Sequence, residues 1–142
     1  MAEQSAVEAG FVLDSRLTAD TIPVTDLTLC KVLLINDSRY PWLILVPKRA
    51  EKSEIHHLAE EEQATLLTEI TQISEMLEAE FRPDKINIGA LGNIVSQLHV
   101  HIIARNDGDA AWPGPVWGHS PATAYTAEDG EKLAQSITQK LT

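Results

Sequence analysis

The sequence predicts a fold in which an antiparallel sheet carries one long helix, and three observations point to it. Two apolar runs flank a turn-rich segment, apolar residues recur at steps of three and four from about residue 59 to 81, and Ser96–Arg105 alternates apolar with polar residues. The first pattern is that of consecutive strands, the second of an amphipathic helix, the third of a half-buried strand. At 142 residues the chain fits a single domain, 1–142, with a core of ordinary size.

Taken in order, Phe11–Leu17 is briefly apolar and then polar, which predicts a short helix or strand. Thr21–Asp26 and Leu29–Ile35 read as the first two strands, and the near-continuous apolar character of the second predicts cover on both faces. Asn36–Pro41 is turn chemistry, and Trp42–Val46 returns as a third strand that stops at Pro47, completing a meander. Ser53 is placed to cap a helical turn over Glu54–Leu58. Glu60, Glu61 and Glu62 suit the N-terminal end of a longer helix, whose stripe of Leu66, Ile70, Ile73, Leu77 and Phe81 should lie across one face of the sheet. Arg82-Pro83-Asp84 ends it.

Lys85–Ala90 reads as a fourth strand, Gly89–Asn93 as a loop of permissive backbone, and the strand after it as the second arm of a hairpin. Glycines beside a polar strand face either let a ligand approach backbone N–H groups or serve only a tight turn. Ala111–His119 has no periodicity. Its two tryptophans among prolines and glycines predict an irregular arm that covers a pocket or packs on a partner chain. Thr126 and Asp129 resemble a capping box, and Leu133, Ile137 and Leu141 mark one face of a C-terminal helix over about 127–141.

Composition narrows the function classes. With 44% hydrophobic residues the chain is a globular protein, and a net charge of −10, from 21 acidic against 11 basic residues, repels polyanions and argues against long nucleic acid as a partner. A small phosphorylated ligand stays compatible, because a pocket can be locally positive. Cys30 is the one cysteine, so an intramolecular disulfide is impossible and a reducing, cytoplasmic setting is expected; within its apolar run the thiol reads as packed. Met1–Glu8 lacks the basic and apolar regions of a leader, and no apolar run approaches the ~20 residues of a membrane helix.

The alternation of Ser96–Arg105 puts Gln97, His99, His101 and Ile103 on one face and Leu98, Val100, Ile102 and Ala104 on the other. Like-facing neighbours stand roughly 6.5–7 Å apart, so a phosphate-sized group can touch two or three of the polar side chains at once. Three readings fit this spacing: a solvated or structural pair of histidines, two imidazole ligands for zinc or copper, or catalysis. His56 and His57 fall in the short turn, where adjacent side chains point about 100° apart. At most one of them reaches a site, and both read as surface residues.

With these pieces in place the chain resembles the histidine triad (HIT) superfamily of nucleotide hydrolases and transferases. The carrying feature is Gln97-Leu98-His99-Val100-His101-Ile102-Ile103-Ala104-Arg105, supported by Asn87-Ile88-Gly89, by Gly92-Asn93 and by the late tryptophan segment, and the resemblance covers about residues 11–118. It implies a small α+β domain with a HIT-like antiparallel sheet, a homodimer, and group transfer or cleavage at the α-phosphate of a nucleotide without a metal or other cofactor. Dinucleoside polyphosphates and nucleoside phosphoramidates are the implied substrates. His99 would be the nucleophile, forming a nucleotidyl-histidine intermediate, with His101 bonded to the non-bridging phosphate oxygens. Asn93 would add a phosphate contact, Arg105 would meet either phosphate or an acidic neighbour on the surface, Asn36 would contact the ribose, and Trp117 would make a further substrate contact.

Two departures from the family pattern stand out. Gln97 occupies the first triad position, where typical members have His; its amide can donate to an oxygen but cannot titrate. It also removes the third imidazole a metal site would use. The loop between the second and third strands lacks a Gly-His that many members carry, leaving Arg39, Tyr40 or Trp42 to take part of that role. A non-catalytic nucleotide-binding domain is the alternative function.

Overall fold

The computed structural model describes residues 7–142, so the reading of the first six residues as lacking a leader lies outside the described residues. The elements in order are α1 (Ser15–Asp20), β1 (Thr21–Asp26), β2 (Cys30–Ile35), β3 (Trp42–Pro47), a 3-10 turn (Ile55–His57), α2 (Glu60–Phe81), β4 (Lys85–Gly89), β5 (Val100–Arg105) and α3 (Ala127–Leu141). The strands form one sheet in the order β1-β2-β3-β5-β4, with every neighbouring pair antiparallel. The α+β class, the meander, the long helix and the pairing of the last two strands are as the sequence predicts. No helix among the described residues is long and apolar enough to cross a membrane.

Alternation divides the core. Val32 and Leu34 of β2, Leu43 and Leu45 of β3, and Val100, Ile102 and Ala104 of β5 pack against Leu66, Ile73 and Leu77 of α2 and Ile137 of α3. Leu33, Ile44 and Val46 face the other way and meet Leu17 of α1. Strands β2 and β3 are therefore covered on both faces, as their unbroken apolar runs require. Each fully buried leucine or isoleucine of α2 contributes about 1.5–3 kcal/mol by leaving water.

Several boundaries differ from expectation, each for a local reason. Leu29 stands outside β2 because its N–H and that of Cys30 donate to the buried carboxylate of Glu69 on α2, at 2.9 and 3.0 Å. Beside that carboxylate and out of solvent, the Cys30 thiol is held protonated: burial first, then Glu69, pushes its pKa far above the usual range. The turn before α2 is capped not by Ser53 but by His57, whose Nδ1 accepts from the backbone N–H groups of Ser53 and Glu54. Pro23 sits in edge strand β1, where the register slips between Pro23 and Thr25, a place that tolerates a missing N–H. The C-terminal helix starts as expected, with the Thr126 hydroxyl accepting from the Asp129 N–H at 3.1 Å.

Replacing Glu69 by Ala leaves two buried N–H groups without an acceptor, and chemical denaturation should register a loss of about 2–4 kcal/mol. Glu69→Gln, which keeps one oxygen acceptor, should lose less.

Candidate active site

His101 lies on β5 opposite Ile44 of β3 and Gly89 of β4. Since Val100, Ile102 and Ala104 of the same strand enter the core against α2, His101, Ile103 and Arg105 must face the other way. His99 and Gln97 precede the strand, which begins at Val100 and not at Ser96, so the polar row is carried partly on an extended loop. The two imidazoles nevertheless meet, their centroids 4.9 Å apart in an edge-to-face arrangement, each 7% exposed.

Their hydrogen bonds fix opposite tautomers. His99 Nδ1 lies 2.6 Å from the carbonyl oxygen of Gln97, which can only accept. The proton is therefore on Nδ1, and the lone pair of the neutral ring is on Nε2. For His101 the arrangement is reversed: the indole N–H of Trp42 donates to its Nδ1 at 3.0 Å. Its proton must sit on Nε2, which becomes a donor. Burial, reinforced by the neighbouring His99, holds the His101 pKa down at about 3, so the ring stays neutral across the physiological range. A cation would have to displace the Nε2 proton of His101 to be ligated there, which sets the pair against the metal reading.

Both histidines line a cleft of about 570 Å³ together with Asn36, Trp42, Asn93 and Trp117. That volume is in the range of small-molecule sites. Trp117 stands edge-on to His101, with centroids 5.4 Å apart at 82°. Its close approach needs Gly89, since a Cβ there would lie 3.0 Å from Trp117 Cη2. Asn36 commits its carbonyl oxygen to the Tyr125 N–H at 2.9 Å, tying the β2–β3 loop to the segment before α3. Of the loop residues weighed as substitutes for the missing Gly-His, Trp42 is the one bonded to the triad strand. Arg39 pairs with Asp37 and reaches Ser120, and Tyr40 is buried.

Two predicted site residues are placed differently. Arg105 is not a cleft residue: it is 1% exposed, bonded through Nε and Nη2 to Asp109 and through Nη1 to Asn87. The guanidinium holds the Asp109 carboxyl at about 2, and Asp109 also accepts from the N–H groups of Asn106, Ala111 and Trp112. Arg105 thus anchors the tryptophan arm instead of a phosphate. Gln97 turns its amide to the N-terminal segment, Oε1 accepting from the Asp14 N–H and Nε2 donating to the Val12 carbonyl, both at 2.8 Å. Asp14 caps α1, and α1 supplies Leu17 and Ala19 to the cleft wall. His56, His57 and His119 are exposed, and His56 borders a smaller cavity beside His99.

The sequence offers Trp42 only as one of three substitutes for the missing Gly-His, and Gly89 only as part of a permissive loop. A tryptophan at a strand start reads as core, and a glycine at a strand end reads as a turn.

Two outcomes follow from this geometry. The His101 ring, with its folded pKa near 3 against about 6.5 when unfolded, binds its proton far more readily in the unfolded chain. Its contribution to stability is therefore complete above pH ~6.5 and is lost as pH falls towards 3, and urea midpoints over that window should fall less in His101→Asn. Gln97→Leu leaves the Val12 carbonyl and Asp14 N–H unpaired. It should cost about 1–3 kcal/mol and raise KM more than it lowers kcat.

The HIT domain model matches residues 16–108. Among solved structures, a HIT protein from Sinorhizobium meliloti is 49% identical over 92% of this chain and 97% of its own, with a TM-score of 0.89. A histidine triad protein from Bradyrhizobium japonicum is 50% identical over 94% and 99%, with a TM-score of 0.90. One from Marinobacter aquaeolei is 46% identical over 94% and 95%, with a TM-score of 0.87. No curated protein matches. The domain match, these near-full-length likenesses and the paired histidines at the strand start agree: the chain belongs to the histidine triad (HIT) family.

Proposed function

We propose that this protein cleaves dinucleoside polyphosphates or nucleoside phosphoramidates, or transfers their nucleotidyl group, by attack of His99 on the α-phosphorus. The observation that carries the reading is the pair of opposite tautomers, a basic Nε2 on His99 beside an Nε2–H donor on His101. In the first step His99 Nε2 forms a bond to phosphorus as the bond to the leaving atom breaks, with the electron pair going to that atom. In the second, water attacks phosphorus, the P–N bond breaks and the lone pair returns to Nε2. Acceptance of the Nδ1 proton by the Gln97 carbonyl steadies the ring as it becomes cationic.

His101 Nε2–H donates to the non-bridging oxygens, where charge grows in the transition state. Asn93, on the cleft wall, adds a second neutral donor, Asn36 meets the ribose, and Trp117 closes the cleft over the nucleotide. Binding without turnover is favoured by one observation, the Gln97 amide spent on Val12 and Asp14.

The test is AMP release from adenosine phosphoramidate and from diadenosine tetraphosphate without added metal. His99→Ala should lower turnover by at least about a thousandfold while AMP still binds. A native chain that binds AMP and releases no product from either compound overturns the catalytic reading and leaves the binding one.

A further inference from the structure

His99 borders two cavities. One is the cleft already described; the other, of about 260 Å³, is lined by Ser53, Glu54, His56, Gly92 and Gln97 among others. The two spaces adjoin at Leu91, Gly92 and His99. A nucleoside in the cleft therefore leaves the second space, walled on another side by the turn before α2, free to take the other substituent on phosphorus.

Departure of a poor leaving group needs a proton. Gln97 cannot supply one: an amide does not titrate, and both its polar atoms are bonded to the N-terminal segment. His99 is the nucleophile. Among the described residues, the remaining titratable side chains lining the second cavity are Glu54 and His56. The turn that carries them is held by His57, which accepts from the Ser53 and Glu54 N–H groups. His57 is thus committed to the turn, while the neighbouring His56 ring, exposed and 4.8 Å from it, borders the cavity. Neither Lys nor Arg lines this cavity, and the Glu54 carboxylate does.

We propose, resting on the reading above, that this second cavity is a leaving-group subsite for small neutral or cationic groups and that His56 is the acid that serves it. As the bond from phosphorus to the leaving atom breaks, protonated His56 gives its proton to that atom, which departs neutral. Neutral His56 then takes a proton from the attacking water as the P–N bond to His99 breaks. The sum is the substrate plus water giving a nucleoside monophosphate and the protonated leaving group.

The experiment compares two substrates of the full chain: the p-nitrophenyl ester of AMP, whose leaving group departs without help, and the n-propylamine phosphoramidate of AMP, whose leaving group needs a proton. His56→Gln should lower kcat/KM for the amidate by about a hundredfold or more. The loss for the nitrophenyl ester should be at least tenfold smaller. Equal losses on both substrates, or none on either, overturn the assignment of His56. His57→Gln disturbs the turn without removing the acid, so an amidate-selective loss there as large as in His56→Gln also overturns it. Glu54→Gln should raise turnover of diadenosine tetraphosphate relative to the amidate, and an unchanged ratio overturns the charge selection. A native chain active on the nitrophenyl ester but insensitive to His56 defeats this inference alone. A native chain inactive on both substrates defeats the proposed function with it.

Discussion

The placement of β5 between β3 and β4 is the constraint on which the site depends. Val100, Ile102 and Ala104 must enter the core against α2, and the period of two then sends His101, Ile103 and Arg105 to the opposite face. A slip of one residue would exchange the two sets, putting an imidazole and a guanidinium against α2 and three apolar side chains against the cleft and the tryptophan arm. The energy of core burial therefore fixes where His101 stands, although Val100, Ile102 and Ala104 do not line the cleft. The same register places His101 beside Gly89, whose lack of a Cβ lets Trp117 close in. It also brings Arg105 to Asp109, which organises the arm carrying that tryptophan.

Within that frame the two rings are made unequal by their partners. A carbonyl beneath His99 and an indole N–H beside His101 give one ring a free lone pair and the other a free N–H. Neither partner titrates, so the assignment does not change with pH as it would with carboxylate partners. Burial keeps His101 from competing for a proton. Among the described residues the cleft is lined by Asp20 and Asp37 and by neither Lys nor Arg, so its polar wall is made of dipolar groups and carboxylates.

Gln97 shows how a polar residue beside the paired histidines can serve the chain's own packing. Its amide oxygen and nitrogen are each matched by a backbone group of residues 12–14. A neutral imidazole also has one donor and one acceptor, but they diverge across a rigid ring, whereas the amide presents them side by side to one segment of chain. The residue is thereby joined to the cleft wall through α1 and to His99 through its own carbonyl.

Much of the fold was legible because its elements follow strong local periodicities. The limits of β1, the stripe of α2 and the capped start of α3 depend on nearest neighbours in the chain. The pair His99 and His101 was legible for the same reason, since two residues apart on an extended segment means one face. What the sequence could not reveal were the partners: Glu69 capping the start of β2 from 39 and 40 residues away, Trp42 donating to His101 across 59, and Gln97 reaching back 83 and 85 to Asp14 and Val12. Arg105 shows the limit best, because a basic residue after a polar strand face looks the same whether it meets a phosphate or a buried carboxylate. Sequence by itself determined which side chains share a face, because that follows from backbone geometry. Only the tertiary structure decided which atoms of those side chains are already bonded and which are left for chemistry, because each hydrogen bond that settles a tautomer or spends an amide comes from a residue remote in the chain.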